Sequence, residues 1–358
     1  MADTDVLGHE EEIQNFVNET KEFLFSNSLL RTLIFALSVI LHGVISLAGV
    51  LSNSVNVLVF IRLGLKDSMS VGLWALSFTD LIVSTLQLAS CVCYCVAYVY
   101  PNNPISPWSI GSFIFGWARS VAYYISCWIT TIIALERCYC VVAPFLVKLV
   151  FTKSRCVVSI TCIYLFHVGL VIPVFIYDPL EWVPATLGEK DANGSLIFFM
   201  QFQTTFTKLG AKWDTINSLA YGVTLSLISQ GLLLFCTFWM VFSLKNSSKI
   251  RKHSETKQNR ENHQNSDNLS ARERRLVKVV ILLAIIQTVC SVPRFMVTAV
   301  YYLVPGFVLG AYDNISILMW EWSYIFSSVC CASNILVYLK LNANFRQKVK
   351  AMFENSTS

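Results

Sequence analysis

Charged residues are scarce in this sequence. Asp, Glu, Lys and Arg make up 14% of it and hydrophobic residues 55%, with a mean hydropathy of +0.57. Soluble domains carry roughly 25% charged residues, so the composition excludes an ordinary soluble protein and indicates a membrane protein. The apolar residues are gathered into long runs, which predicts one membrane bundle rather than two soluble domains.

Patterns for metal, nucleic-acid or catalytic sites are also missing. The five histidines stand apart from cysteines and carboxylates at chelating spacing, so no metal site is expected. The twelve cysteines lie within or beside apolar runs, where they are expected to be small packing residues rather than a disulfide framework. The net charge of +5 is divided among short loops, which excludes a continuous nucleic-acid surface. The sequence shows no pairing of a nucleophile with a base and no phosphate-binding loop, so it gives no indication of an enzyme.

Seven segments are long and apolar enough to cross a bilayer, which takes about 20 mostly apolar helical residues. The expected fold is an all-α seven-transmembrane helix bundle over residues 31–339. A tail of residues 1–30 precedes it, and a surface helix and tail of residues 340–358 follow. The predicted spans are residues 32–61, 69–98, 109–135, 156–177, 215–244, 279–303 and 315–339.

Loop charges predict the direction of the bundle. Basic residues cluster in the loops of one face, including the loop 245–274, whereas the first thirty residues are acidic. Because basic loops stay in the cytoplasm, the N-terminus is expected outside. It lacks a basic region followed by an apolar core, so no cleaved signal peptide is expected. Asn18 and Asn193 are the predicted glycosylation sites on the outer face.

Two inner segments differ in pattern. Residues 245–270 are rich in Asn, Ser, Gln and Lys and nearly free of apolar residues, which predicts a flexible loop that meets a cytosolic partner. After the last span, Phe345, Val349, Met352 and Phe353 recur at helical spacing. They predict a short amphipathic helix on the inner leaflet, with a frayed basic tail as the alternative.

Four charged side chains lie inside the predicted spans, where each needs a partner or a function. Asp80 lies about 16 Å from the inner end of the second span and is either a protonated structural acid or an ion or switch site. Arg119 and Arg294 lie at matching depths, roughly 13 to 15 Å from the outer end. A bound anion would relieve their repulsion. The alternatives are that one arginine reaches the outer headgroups or pairs permanently with Glu321.

Short motifs recur in order along the spans. They are Asn53 and Asp80 in the first two spans, Glu136-Arg137-Cys138 in the third, Cys290-Ser291-Val292-Pro293 in the sixth and Asn334-Ile335-Leu336-Val337-Tyr338 in the seventh. From about residue 40 to 353 the chain thereby resembles the rhodopsin-like (class A) G-protein-coupled receptors. The resemblance implies a plasma-membrane receptor that binds an extracellular ligand and activates a heterotrimeric G protein.

The resemblance implies an activation switch at the inner end of the bundle. Arg137 would pair with Glu136 and with Glu273 at the start of the sixth span, although an ordinary inner-face anchor is the alternative. Pro293 removes a backbone hydrogen bond and kinks the sixth helix, so its inner half can swing outward and expose the G-protein site. The remaining switch positions hold Ser291, Asn334 and Tyr338.

The same resemblance implies two binding sites. Asp80, Ser126 and Asn334 occupy positions that hold a sodium ion in family members. Arg119 falls where amine receptors carry an aspartate, which disfavours an amine ligand, and Arg294 matches a pocket-facing position. The ligand is therefore expected to carry a carboxylate or other anionic group. The predicted ligand-binding residues are Arg119, Arg294 and Glu321.

The chain departs from the family in several places. Ser112 stands where the third span usually has a cysteine, and residues 178–213 contain no cysteine, so the usual disulfide is missing and a looser outer loop is expected. Ser291 replaces a tryptophan, Ile335 a proline and Cys331 a serine of the sodium site. Signal transmission through the core is expected to differ from that of typical members.

Two stretches, 237–251 and 271–293, most resemble invertebrate peptide receptors and gastropod-type chemosensory receptors. The divergence favours a chemosensory receptor for a small anionic cue, with a neuropeptide receptor as the alternative. A retinal pigment is excluded because residues 315–339 contain no lysine for a Schiff base. Two other classes of membrane protein are the remaining alternatives. A transporter would show paired repeats, and a seven-helix ligand-gated channel would have its N-terminus inside.

Overall fold

Seven long helices form a bundle in this computed structural model, which describes residues 27–142, 150–190, 196–254, 264–304, 307 and 313–354. Each helix is long and apolar enough to cross a membrane, which confirms the predicted number of spans. The end that carries the N-terminus is called the outer end below. The helices are α1 Leu29–Leu63, α2 Ser68–Val99, α3 Pro107–Val142, α4 Lys153–Tyr177, α5 Lys208–Ser243, α6 Arg274–Leu303 and α7 Ile315–Leu341.

Polar caps and one glycine mark the helix ends. α2 begins at Ser68, where the side chain of Asp67 accepts a backbone N–H of the first turn at 2.7 Å. Thr152 and Thr207 cap the first turns of α4 and α5 in the same way, which satisfies amides that have no partner within the helix. α1 ends at Leu63, and the φ of 84° at the following Gly64 lies in the left-handed region that favours glycine.

The inner connection between α5 and α6 is shorter than predicted. The helix that contains α5 runs on over Ser226–Ser254, and the helix that contains α6 already begins at Gln264. The predicted flexible loop over residues 245–270 was therefore too wide. A polar composition excludes these residues from lipid but not from a helix, because Lys, Arg, Gln and Glu are good helix formers in water.

A β-hairpin between α4 and α5 was not predicted. Its strands β1 (Leu180–Lys190) and β2 (Leu196–Thr204) pair antiparallel. The N–H of Phe202 donates to the carbonyl of Pro104 at 2.7 Å, and its carbonyl accepts the N–H of Ser106 at 2.9 Å. All twelve cysteines lie in the described part of the chain, and none of them forms a disulfide. Backbone hydrogen bonds thus tie the outer hairpin to the loop between α2 and α3 without a disulfide.

The predicted amphipathic helix is present as α8, Ala343–Glu354. Phe345 is fully buried, and its ring centroid lies 5.4 Å from that of Phe60 and 5.5 Å from that of Tyr338. Phe60 and Tyr338 meet edge to face at 5.2 Å. The helix is therefore anchored in the bundle as well as amphipathic, because its aromatic residue closes a cluster between α1 and α7.

Candidate functional site

A cavity of about 340 Å³ opens between α2, α3, α5, α6 and α7 in the outer half of the bundle. We call it the central cavity. Arg119, Arg294 and Glu321, the predicted ligand-binding residues, all line it. Its wall is largely aromatic and includes Tyr124, Tyr221, Trp320 and Tyr324. An apolar cavity of this size with a few charged groups is typical of a ligand site.

Departures from regular α-helix shape this cavity. α3 and α5 each contain a π-helical turn, Ile110–Phe115 and Ala220–Leu225, and such turns shift the side chains that follow. Tyr221 lies in the second turn. Its ring stacks on Tyr124 with centroids 4.8 Å apart, and its hydroxyl donates to the carbonyl of His167 at 2.7 Å. The π turn thus brings α5 against α3 and α4 at the wall of the cavity.

Arg119 is buried on the α3 side, with 9% of its surface exposed. Its Nη1 donates to Oε1 of Gln87 in α2. Its guanidinium carbon lies 3.9 Å from the ring centroid of Tyr324 in α7, within the range of a cation–π contact. Both contacts are with neutral groups. They stabilise the positive charge of Arg119 but do not neutralise it.

Arg294 approaches the same tyrosine from α6. Its guanidinium carbon lies 4.7 Å from the ring of Tyr124, 5.6 Å from Tyr324 and 5.8 Å from Tyr123. Its Nε is buried without a hydrogen-bond partner in the described part of the chain. The two arginines whose depths match in the sequence thus converge on one aromatic cluster, and Tyr324 contacts both.

The partner of Glu321 is not an arginine, which was one alternative that the sequence left open. Within the described residues it forms no ion pair with either arginine. Its Oε2 lies 3.4 Å from Nδ1 of His42 in α1. His42 is fully buried, whereas 14% of the Glu321 side chain is exposed. Permanent pairing of an arginine with Glu321 is therefore not observed, and the carboxylate belongs to a contact between α1 and α7.

A second cavity of about 390 Å³ lies beside the first, between α1, α2, the loop before α3 and the hairpin. Arg31 lines it, with its guanidinium carbon 5.2 Å from the ring of Tyr98. Tyr94 and Trp108 line both cavities, and their ring centroids are 4.8 Å apart. This aromatic pair forms the partition between the central cavity and its neighbour.

The residues of the predicted sodium site meet in the middle of the bundle. Asp80 is fully buried. Its Oδ1 accepts the hydroxyl of Ser126 at 2.6 Å, and its Oδ2 accepts the amide of Asn334 at 2.6 Å. Asn53 donates to the carbonyls of Gly49 and of residue 331 at 3.0 Å each. Side chains of α3 and α7 therefore meet on one carboxylate of α2, and Asn53 ties α1 to the backbone of α7.

The predicted switch residues of α6 lie directly below the central cavity. The hydroxyl of Ser291 donates to the carbonyl of Gln287 at 2.8 Å. Ser291, Gln287 and Arg294 also line a small enclosed space between α3, α5 and α6, where the family's tryptophan side chain is missing. Pro293 lies inside the helix one residue before Arg294, so a contact to Arg294 acts next to the position where the proline removes a backbone hydrogen bond.

At the inner end, Glu136 is buried with 2% of its surface exposed. It accepts hydrogen bonds from Arg137 and from the hydroxyl of Ser68. The side chain of Glu273, the third predicted member of this group, lies outside the described residues, as do both predicted glycosylation sites. Tyr338 is fully buried, and its hydroxyl has no partner in the described part of the chain.

The family follows from this geometry together with comparison to known proteins. Residues 53–338 match the family model of the seven-transmembrane receptors of the rhodopsin family. The chain belongs to this family. It is therefore a multi-pass protein of the plasma membrane, in a family of receptors rather than enzymes, and the transporter and channel alternatives are set aside.

Two peptide-type receptors are similar to this chain. A QRFP-like peptide receptor of Branchiostoma floridae is 23% identical over 157 residues, which cover 43% of this chain and 39% of that receptor. The galanin-like G-protein coupled receptor npr-9 of Caenorhabditis elegans is 22% identical over 366 residues, which cover 97% of this chain and 79% of that receptor. The first alignment spans well under two thirds of the relative's length, whereas the second spans nearly this whole chain.

Sequence reasoning missed His42 and Gln87. Both could have been found from helical spacing, because residues seven or eleven positions apart share one face of a helix. Gln87 follows Asp80 by seven residues, and His42 precedes Asn53 by eleven. A buried polar face runs along each helix, and these two residues lie on it.

Proposed function

We propose that this protein is a receptor for an extracellular peptide that carries a carboxylate or another anionic group, and that it activates a heterotrimeric G protein. The observation that carries the ligand chemistry is the pair of guanidinium groups, Arg119 and Arg294, in one cavity, where the side chains they contact are a glutamine and tyrosines. An anion bound there gains charge-assisted hydrogen bonds in a poorly solvated site. The names of the two relatives favour a peptide over a chemosensory small molecule.

A small anionic cue is the second candidate. The central cavity holds about 340 Å³, near the lower end of the roughly 300 to 1,000 Å³ of small-molecule sites. This space suits an organic acid or an amino acid. A peptide would place only its end there and run outward past the hairpin.

The proposed activation step begins at the kink of α6. Because Arg294 follows Pro293 directly, an anion that draws Arg294 towards α3 and α7 acts on the half-helix at its flexible point. Outward movement of the inner half of α6 would then separate it from Arg137 and open the G-protein surface. Binding shifts this equilibrium only as far as the ligand prefers the open state.

A sodium ion is the proposed allosteric partner of the inactive state. The carboxylate of Asp80 and the hydroxyl of Ser126 are hard oxygen ligands of the kind that alkali ions take. Asn334 bonds the same carboxylate and would orient it. Cys331, which stands where a serine is common, contributes a soft thiol, so the site is expected to hold sodium weakly.

The ligand proposal is tested by expressing the receptor with a promiscuous G protein. The cells are exposed to short peptides in free-acid and amidated forms, to amino acids and to organic acids. A hydrogen bond to a charged group contributes about 1.5 to 3 kcal/mol, so Arg119→Gln and Arg294→Gln should each lower the potency of an anionic activator roughly 10- to 100-fold.

The matched control is Lys208→Gln, which removes one positive charge from an exposed residue at the outer end of α5, outside the central cavity. It should leave potency unchanged when surface expression is equal. Equal potency in the two arginine variants and the wild type would overturn the anionic ligand. A preference for peptides over organic acids would decide between the two candidates.

A further inference from the structure

The central cavity carries charge of both signs. Arg119 and Arg294 contact Tyr324, and Glu321 lies three residues, about one helical turn, before Tyr324 in α7. Carboxylate and guanidinium groups line one space without forming an ion pair among the described residues. A purely anionic ligand would satisfy the arginines and leave Glu321 facing it as a like charge. The cavity therefore favours a ligand that carries a cationic group in addition to the anionic one.

His42 stands behind this carboxylate. It is fully buried in α1, and its Nδ1 lies 3.4 Å from Oε2 of Glu321. Neither imidazole nitrogen has a hydrogen-bond partner in the described part of the chain. A buried polar ring without a partner is costly, and the Glu321 carboxylate, whose Oε2 lies 3.4 Å from Nδ1, is an acceptor within contact distance that would relieve this cost. The neighbouring hydroxyls do not, because Ser38 and Ser46, one turn away on either side, are also buried without partners.

We propose that Glu321 binds a cationic group of the ligand, a primary amine or a guanidinium, and that His42 is the positioning residue that holds the carboxylate at the cavity wall. This inference rests on the proposed function and names the second recognition element of the same site. The ligand thus carries groups of both signs, as a peptide with a free amine does.

The division of contacts on Glu321 supports this assignment. A carboxylate has acceptor positions for about four hydrogen bonds, and His42 contacts one of its two oxygens. The side chain is the partly exposed member of the pair, so the remaining acceptor positions face the cavity. A ligand amine there meets a carboxylate already oriented by α1, which saves the cost of ordering a free side chain on binding.

The test uses matched pairs of the activating peptides, one member with a free amine or lysine and the other N-acetylated or with norleucine. In the wild type, removing the cation should lower potency at least 10-fold. In Glu321→Gln the two members should become nearly equally potent. His42→Phe should reduce the ratio of their potencies, and His42→Asn, which keeps a donor, should restore part of it.

Ser46→Ala is the matched control. It changes a buried polar residue on the same face of α1, one turn from His42, and should leave the potency ratio unchanged. Equal potency of the two members in the wild type would overturn the inference while leaving the anionic site intact. An unchanged ratio in His42→Phe would overturn the positioning role.

A second measurement does not depend on signalling. The thermal stability of the purified receptor is followed at a fixed sodium chloride concentration, with ethylammonium chloride or tetramethylammonium chloride, whose cation has no N–H donor, added at equal concentration. Millimolar ethylammonium should raise Tm in the wild type and not in Glu321→Gln. No rise in the wild type would overturn the cation site. If ethylammonium raised Tm but no peptide or organic acid activated the receptor, the proposed function would be contradicted and the cation site would still be supported.

Discussion

Gly49 lies where α1 packs tightly against α2, and replacing it by alanine should destabilise the receptor. A Cβ atom at this position would lie 2.4 Å from Oγ and 3.0 Å from Cβ of Ser84, and 3.6 Å from Cβ of Ala332. Rotating the Ser84 side chain would relieve the first contact at the loss of its 2.8 Å hydrogen bond to the carbonyl of Asp80. It cannot relieve the second, so the helices must separate.

Two effects oppose each other in Gly49→Ala. Overpacking of a tight contact costs about 1 to 3 kcal/mol, and alanine in place of glycine within a helix contributes about 0.5 to 1 kcal/mol of stability. The net expectation is a loss of roughly 1 to 2 kcal/mol, because the clash outweighs the gain in helix propensity. At roughly 2 to 4 °C per kcal/mol for larger domains, Tm should fall by about 2 to 8 °C.

Gly43→Ala, in the same helix, is the matched control. An added Cβ at residue 43 meets nothing within 4 Å, so only the propensity gain remains and Tm should hold or rise. Thermal unfolding of the detergent-purified receptor with a thiol-reactive dye measures both variants, since none of the twelve cysteines is in a disulfide and most are at least partly buried. Combining Gly49→Ala with Ser84→Gly should recover stability. If Gly49→Ala were as stable as Gly43→Ala, the argument from close packing would be refuted.

Two further predictions concern the inner half of the bundle. Phe345→Ala should lower the free energy of unfolding by about 3 to 5 kcal/mol, because the fully buried ring of Phe345 joins α8 to α1 and α7. Phe238→Ala is the control and should change Tm little, because 71% of Phe238 is exposed in the bundle. Sodium chloride should raise Tm more than N-methylglucamine chloride of equal ionic strength, and this difference should vanish in Asp80→Asn and Ser126→Ala and grow in Cys331→Ser. A difference that survives Asp80→Asn would place sodium elsewhere.

Much of the fold was predictable because each membrane helix is a local property of the chain. An uninterrupted apolar run satisfies its own backbone hydrogen bonds and needs no partner to be recognised. The outer hairpin was missed for the opposite reason. Its strands are stabilised by pairing with each other and with the loop that carries Pro104 and Ser106, and such pairing leaves no strong signal in either segment alone.

The candidate site was likewise only partly predictable from the sequence. The depths of Arg119 and Arg294 followed from helical rise and predicted their convergence at one level of the bundle. Their partners did not follow. Gln87 and Tyr324 reach Arg119 only because α2 and α7 present particular faces to α3, and the rotation of each helix is set by packing along its whole length.

The sequence by itself determined the number of membrane spans, the polar residues inside them and the motifs from Asn53 to Tyr338, because each depends on composition and spacing along one helix. Only the tertiary structure decided which of these residues are partners. It assigned Glu321 to His42 rather than to an arginine, and Asp80 to Ser126 and Asn334. The physical reason is that a buried charge is compensated by whatever group the packed helices bring within a few ångströms, and chain order does not encode that distance.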